Sequence, residues 1–309
     1  MLILLNYLYS VFYNDIKILN LIKLNSLGRY LIRSVANIIL PIYLKYNTTS
    51  RSLNCKDNSI IVTLTSFPKR INNLWLTIET LLSQTVKPDR IILYLSKDQF
   101  PNLDCDLPIR LINQKERGLE IVWVDGDIRS HKKYYYTMSQ YPQSIIITTD
   151  DDMFYPSDMI EDLLSKYYKY NCVVCRYARK IEWYDDEVLS SNNWKHIKTN
   201  MQGCKIFFGT GGGVLFPPIN NSLYEDTLNL KLALKLCPLE DDLWLNTMVR
   251  LQGTNIVASI KYRGLLPVIN KDNETLFSVN GGEQNLTDRQ MNNVIRYYKE
   301  MRLYPYKNI

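Results

Sequence analysis

From residue 60 onward, short unbroken apolar runs alternate with stretches whose apolar positions recur at helical spacing. "SIIVTLTSF", "DRIILYLS", "LEIVWVD" and "QSIIITTDDD" are rich in β-branched residues and read as strands. Because successive positions are apolar, rather than every second one, these strands are expected to be covered on both faces, as in a parallel sheet. "INNLWLTIETLLSQT" puts Ile71, Leu74, Trp75, Ile78, Leu81 and Leu82 on one helical face. Helices are also predicted for "DIRSHKKYYYTMSQYP", "PSDMIEDLLSKYYKY", "SLYEDTLNLKLALKL", "PLEDDLWLNTMVRLQG" and, near the end, "DRQMNNVIRYYKE", with one more strand at "TNIVASI". The strand–helix–strand order predicts an α/β domain with a mostly parallel sheet flanked by helices. The stretches 177–207 and 261–285 are expected to be loops.

The first part of the chain follows another pattern. "MLILLNYLYSVFY" and "YLIRSVANIILPIYLKY" are apolar, yet neither is a clean span of ~20 apolar residues, the length needed to cross a bilayer. No basic stretch precedes the first run and no small-residue cleavage site clearly follows it, so a secretory signal peptide is not expected. Residues 1–47 are expected to form one or two helices with Lys17, Lys23, Arg29, Arg33 and Lys45 interleaved. Such helices either lie on a membrane surface or pack on the domain. Polar, turn-forming residues at 48–59 read as a linker, leaving 60–309 as the catalytic domain.

Composition narrows the picture modestly. The chain has 309 residues, 46% hydrophobic and 22% charged, with a net charge of +6, as in an ordinary globular protein. Its Lys and Arg residues are dispersed, so nothing calls for nucleic acid; a membrane surface or a phosphate-bearing ligand fits the same balance. Six cysteines are too few for a disulfide scaffold in a chain this long, which favours a reducing, cytoplasmic setting, including the cytoplasmic face of an inner membrane. Cys172 and Cys175 form a CxxC that reads as part of a buried strand, with half a zinc site or a redox pair as the alternatives.

The sharpest chemical signal is "IIITTDDD", an apolar run ending in Asp150, Asp151 and Asp152. Adjacent carboxylates repel one another and raise one another's pKa. A divalent cation reverses that logic, and hard oxygen ligands suit Mg²⁺ or Mn²⁺. Side chains alternate along an extended strand end, so Asp150 and Asp152 can face one way and Asp151 the other. Asp152 is the expected leading metal ligand and Asp150 the second. A solvated turn is the plain alternative.

Other segments would emerge at the same sheet edge, where open α/β sheets bind their ligands. "LTSFPKRI" offers Thr65, Ser66, Phe67 and Arg70, able to hold a base and a diphosphate. "VDGDIRSHKKYYY" offers Asp125, Asp127, Arg129, Lys132 and Lys133. "GTGGGVLFPP", with Gly211, Gly212 and Gly213, matches neither a dinucleotide fingerprint nor a P-loop, but lets backbone approach a ligand. "PLEDDLWLN" places Glu240, Asp241 and Asp242 at a predicted helix N-terminus, where acids also serve simply to complement the helix dipole.

In this order the segments T-S-F-P-x-R, acid and Lys, D-D-D, G-G-G-V-L-F-P and E-D-D-L-W-L resemble a GT-A glycosyltransferase, most closely the bacterial family 2-like enzymes that build surface polysaccharides such as lipopolysaccharide. The resemblance spans residues 60 to about 251. It implies a Rossmann-like GT-A fold, a nucleotide-sugar donor such as a UDP-sugar, Mn²⁺ or Mg²⁺, and a glycan or lipid-linked acceptor. It further implies that Thr65, Ser66 and Arg70 meet the nucleotide and that Asp127 and Lys133 sit by the donor. Asp150 and Asp152 would hold ribose and metal, the glycines would line the sugar pocket, and Asp241 would act as general base. "DIRSHKK" lacks the Gly-Pro expected between acid and Lys, and the acids 240–242 leave the base's register open by one or two residues. Inversion is the first expectation, and a retaining, exostosin-like course the alternative. A nucleotidyl or phosphoryl transferase should carry a Gly-rich loop after the first strand, and a non-catalytic sugar- or membrane-binding module would not need both acidic clusters.

Overall fold

The computed structural model describes residues 1–13, 24–47, 60–270 and 285–307. The predicted linker 48–59, together with Lys17 and Lys23 and most of the second half of the loop 261–285, lies outside the described residues. In chain order the elements that matter below are α1 (Leu2–Val11), α2 (Leu24–Tyr46), β1 (Ile60–Thr65), α3 (Ile71–Leu82), β2 (Arg90–Ser96), β3 (Leu119–Val124), α4 (Lys132–Gln140), β4 (Ile145–Thr148) and α5 (Met159–Tyr170). Then come β5 (Val173–Cys175), six short strands β6 (Ala178–Lys180), β7 (Trp183–Tyr184), β8 (Glu187–Val188), β9 (Lys195–His196), β10 (Met201–Gln202) and β11 (Ile206–Phe208), and β12 (Val214–Phe216). The chain ends with α6 (Leu230–Leu236), α7 (Asp241–Gln252), β13 (Ile256–Ala258) and α8 (Leu286–Glu300).

The central sheet has eight strands in the order β10-β13-β5-β12-β4-β1-β2-β3. β4, β1, β2 and β3 are mutually parallel, as are β5 and β13, while β12 runs antiparallel between β4 and β5. The α/β expectation therefore holds, and its reason is visible residue by residue. Val62, Leu64, Ile147 and Leu215 face α3 and α5, packing on Leu74, Ile78 and Leu163. Their neighbours Ile146, Val214 and Phe216 face the other way, packing with Tyr134 and Met138 of α4, Trp244 of α7 and Val294 of α8. Both faces are buried, so consecutive apolar residues are all used. Truncating one such side chain to alanine typically costs about 2–5 kcal/mol.

Several expectations are corrected. "SLYEDTLNLKLALKL" is not one helix: a 3₁₀ turn, Glu225–Leu228, precedes α6, and Asn229 breaks the two by capping α6, its side chain accepting from the Leu232 N–H at 3.2 Å. The glycine-bearing segment continues into β12, a strand the apolar pattern left unassigned because it is only three residues long. The polar stretch 177–207 also contains strands, forming a small antiparallel sheet β11-β6-β9 and a hairpin β7-β8. Cys172 and Cys175 are both buried, the latter inside β5, as the strand reading of the CxxC requires.

The two N-terminal helices dock on the domain. Leu2, Leu5, Tyr9, Ala36, Leu40 and Leu44 form one cluster with Trp75, Phe154, Leu266 and Val268. Polar ties reinforce it: Asn6 Nδ2 donates to the Phe154 carbonyl at 3.1 Å, and Asn37 Nδ2 to the Pro267 carbonyl at 2.9 Å. Phe154 lies two residues past the acidic triplet, so these helices buttress the segment that carries it.

Candidate active site

β1, β2, β3, β4, β5 and β13 all point their carboxyl ends to one edge, and the predicted site segments meet there. α4 is fixed first. Thr63, buried in β1, donates its hydroxyl to the Lys133 carbonyl at 2.8 Å and lies 2.8 Å from the Thr137 hydroxyl. This sets the first turn of α4 over β1 and delivers Lys133, only 6% exposed, into the space between the two acidic clusters.

There Lys133 Nζ lies 2.6 Å from Asp150, 3.2 Å from Asp241 and 3.0 Å from the Thr210 hydroxyl. Burial works against its charge, but Asp150, Asp241 and Asp242 outweigh it and hold the ammonium protonated well above its ordinary range. Asp150 and Asp241, far apart in sequence, thus share one cation.

The triplet does not divide as alternation predicts: Asp152 shares Arg70 with Asp151, so the break falls between Asp150 and the other two. Asp150 faces Lys133 and the glycine segment. Asp151 is buried on the other side, accepting from the Ser66 hydroxyl at 2.5 Å and from Arg70 Nη1 at 2.8 Å, while the Thr77 hydroxyl holds its carbonyl at 3.0 Å. Asp152 also pairs with Arg70, at 3.0 Å, but its Oδ1 is buried with no hydrogen-bond partner. Burial, and then the charge of Asp151, push the Asp152 carboxyl up to about 7.

The glycine segment is locked to the triplet by a residue that sequence reasoning missed. The Asp150 N–H donates to the Tyr155 phenol at 2.8 Å, and that phenol donates onward to the Gly211 carbonyl at 2.6 Å. A Cβ on Gly211 would fall 1.7 Å from Asp150 Oδ2, and one on Gly212 would fall 2.5 Å from the Tyr177 Cβ. Gly213 has φ +94°, a conformation that favours glycine.

The second acidic cluster sits at the start of α7. Asn246 ties this helix to β11, donating to the Phe208 carbonyl and accepting from the Phe208 N–H at 2.8 and 3.1 Å. Asp241 is buried and accepts from the Thr210 hydroxyl at 2.8 Å. Asp242 accepts from the Thr210 N–H at 2.7 Å and also lies within hydrogen-bond range of the same hydroxyl, which has only one proton to give. The two carboxylates part accordingly. Burial acts to raise Asp241, but Lys133, then His131, bring it below its ordinary value, whereas burial and the charge of Asp241 push Asp242 up to about 7. Glu240 turns to the Thr287 hydroxyl of α8 instead, and burial pushes it up to about 7.

Other predicted residues lie nearer the rim. Thr65 donates its hydroxyl to the Tyr94 carbonyl at 2.8 Å, and the Phe67 ring lies 5.4 Å from the Arg70 guanidinium. Asp127 pairs with Lys132 rather than Lys133, and accepts from Gln99 at 2.9 Å; Asp125 pairs with Lys97. The adjacent lysines therefore serve different partners. Thr210, His131 and Tyr155 escaped sequence reasoning because single hydroxyls, a phenol and one imidazole carry no spacing signal; Thr210 alone had a hint, its place beside the glycines.

No protein-family model matches the chain, and no curated protein matches it. Among solved structures it is similar to a mannosyltransferase from Pyrobaculum calidifontis in complex with GDP-Man and Mn²⁺, with a TM-score of 0.47 and 11% identity over 85% of this chain and 72% of that one. It is also similar to a 2-C-methyl-D-erythritol 4-phosphate cytidylyltransferase from Francisella tularensis, with a TM-score of 0.41 and 13% identity over 72% of this chain and 98% of the other. A third likeness is to an apo UDP-glucose pyrophosphorylase, with a TM-score of 0.36 and 10% identity over 78% and 98%.

Proposed function

We propose that the chain is a metal-dependent GT-A glycosyltransferase that moves a sugar from a nucleotide-sugar donor, with UDP-sugars the first to test, to a hydroxyl of a glycan or lipid-linked acceptor. The observation that carries this reading is the convergence of two acidic clusters, Asp150 to Asp152 and Asp241 to Asp242, on buried Lys133 at the carboxyl edge of the sheet. A structural role alone would not need so many like charges in one place.

Among the described residues no three His, Cys, Asp or Glu side chains form a metal cage, so a divalent ion would rest on one or two carboxylates and take its remaining oxygens from the donor. Asp152 holds a buried carboxylate oxygen without a partner, and Asp150 lies beside it with its carboxylate partly exposed. These are the hard oxygen donors that Mn²⁺ or Mg²⁺ takes. When bound, such an ion would neutralise charge on the departing nucleoside diphosphate. Lys133 at Asp150 and Arg70 at Asp151 and Asp152 supply fixed positive charge, and Ser66 and Arg70 hold Asp151 in place.

Asp242 is assigned as the general base in place of Asp241. Asp241 is already ion-paired and buried, while Asp242 is partly exposed and lies 3.7 Å from where a Cβ on Gly209 would stand, beside the glycine segment. A carboxylate with a pKa of about 7 accepts a proton from an attacking hydroxyl far better than one that Lys133 and His131 hold below its ordinary value. The hydroxyl then attacks the anomeric carbon from the face opposite the leaving group, which inverts the sugar; a retaining enzyme would not need Asp242 ionised.

A membrane surface is the partner we assign to the N-terminal helices. The outer side of α2 exposes Leu27, Leu31, Val35, Ile38 and Ile42, and the described residues of 1–47 include Arg29, Arg33 and Lys45 but no acid. No helix among the described residues is long and apolar enough to cross a membrane. An apolar stripe with only cationic charge suits an anionic lipid interface.

The test is release of nucleoside diphosphate from a panel of nucleotide sugars with and without Mn²⁺. Turnover that needs Mn²⁺ and is lost in Asp152→Asn supports the proposal. Equal turnover in that variant would remove the metal assignment.

A further inference from the structure

Beside the glycine segment, on the same sheet edge, is a cavity of about 150 Å³. Arg29, Arg176, His196, Lys198 and Arg263 line it, and among the described lining residues there is no carboxylate. Tyr177 forms the wall shared with the site above, packing against Gly209 and Gly212. Tyr13 closes the opposite side by lying directly on Gly264, where any Cβ would meet its ring at 2.3 Å. The N-terminal segment and the catalytic domain thus enclose it together.

Arg176 is the telling residue. It is only 3% exposed, and among the described residues it makes no ion pair. Its guanidinium has a long 3.5 Å hydrogen bond to the Gly212 carbonyl and lies 5.6 Å from the Tyr262 ring centroid. Asp162 and Asp158 act on it from beyond ion-pair distance and do not outweigh its burial, which leaves the guanidinium below its ordinary range; an anion in the cavity would complete it. Arg263 is aimed by its Nε bond to the Lys198 carbonyl at 2.8 Å, and Arg29 by its bond to the Phe12 carbonyl at 2.8 Å. Guanidinium groups set in this way match phosphate oxygens in both geometry and charge.

We infer that this cavity binds a phosphate or diphosphate group, separate from the diphosphate of the donor, and that in the transferase reading it seats the phosphate of a lipid-borne acceptor. The binding claim stands on the cavity alone; only the acceptor role rests on the proposed function. The apolar face of α2, which leads into Arg29, gives the lipid tail a place to lie outside the cavity.

Calorimetric titration in EDTA tests it, because the donor site requires a metal ion and this cavity does not. Inorganic pyrophosphate and farnesyl diphosphate in detergent micelles are the two probes. Metal-free binding of either probe to the full chain, weakened at least tenfold in both Arg263→Gln and Arg29→Gln, is the expected result; both side chains are less buried than Arg176, and circular dichroism confirms that the variants fold. Tighter binding of farnesyl diphosphate identifies a lipid-borne group, and equal binding identifies a soluble phosphate, overturning the acceptor role. Absence of metal-free binding, or binding that both variants keep, overturns the site. Phosphate binding with no sugar transfer from any donor would refute the transferase and leave the cavity standing; transfer without metal-free phosphate binding would do the reverse.

Discussion

Gly211 and Asp150 occupy space that a larger residue would deny them: a Cβ at position 211 would lie 1.7 Å from Asp150 Oδ2. The close approach holds the carboxylate between Lys133 and the backbone of the glycine segment. In Gly211→Ala, Asp150 must move, and a displacement of ~1 Å at a reacting site can cost about 100-fold in rate. Donor turnover should fall by roughly that factor while the circular dichroism spectrum is unchanged. Retained turnover would show that Asp150 is not held for catalysis.

Lys133 should prove to be a keystone of stability as well as of chemistry. Removing one partner of a buried ion pair costs about 3–5 kcal/mol, since the remaining charges are left uncompensated. Lys133→Met should lower the urea midpoint accordingly at pH 8. Adding Asp241→Asn should restore part of the loss, as neighbours in one network are not additive. A double variant no more stable than Lys133→Met would argue against the pairing.

The rate should report the ionisation of Asp242. Its carboxyl is pushed up to about 7, so the protonated, inactive form dominates below that value and the ionised base above it. kcat/KM should therefore rise about tenfold per pH unit up to about pH 7 and then level off. Asp242→Asn should cut transfer by about 100- to 10,000-fold with donor affinity retained. An acidic limb near pH 4, or unaltered transfer in the variant, would favour a retaining course.

Glu240 makes a prediction of opposite sign about stability. Its folded pKa of about 7 lies above the ordinary 4.5, so ionisation is disfavoured in the fold. Below about pH 4.5 it is neutral in both states and costs nothing; the penalty grows between there and pH 7 and is complete above. Glu240→Gln should thus stabilise the protein at pH 8 by on the order of 1–3 kcal/mol and leave it unchanged near pH 4. Thermal melts at the two pH values give the answer, and an equal effect at both would refute the assignment.

The membrane assignment is checked by flotation with vesicles containing phosphatidylglycerol. Ile38→Glu with Ile42→Glu alters only exposed positions of α2, so the helix should stay docked while recovery with vesicles falls several-fold. Equal recovery would leave that face without a lipid role.

What the sequence determined by itself is the part governed by local physics. Apolar continuity is enough to show strands covered on both faces, and helical spacing marks α3, α5 and α7, but the division of the triplet, with Asp151 and Asp152 sharing Arg70, runs against alternation at the strand end. Two- and three-residue strands such as β12 stayed hidden because so short a run carries no period. Only the tertiary structure decided the pairings. That Lys133 serves Asp150 and Asp241 while Lys132 serves Asp127 depends on how α4 lies over β1, through Thr63 and Thr137. That Asp241 pairs with Lys133 while Asp242 accepts from the Thr210 N–H depends on the rotation of α7 fixed by Asn246. Charge lettering shows which groups can interact; burial and distance, which long-range packing sets, determine which of them do and at what pKa.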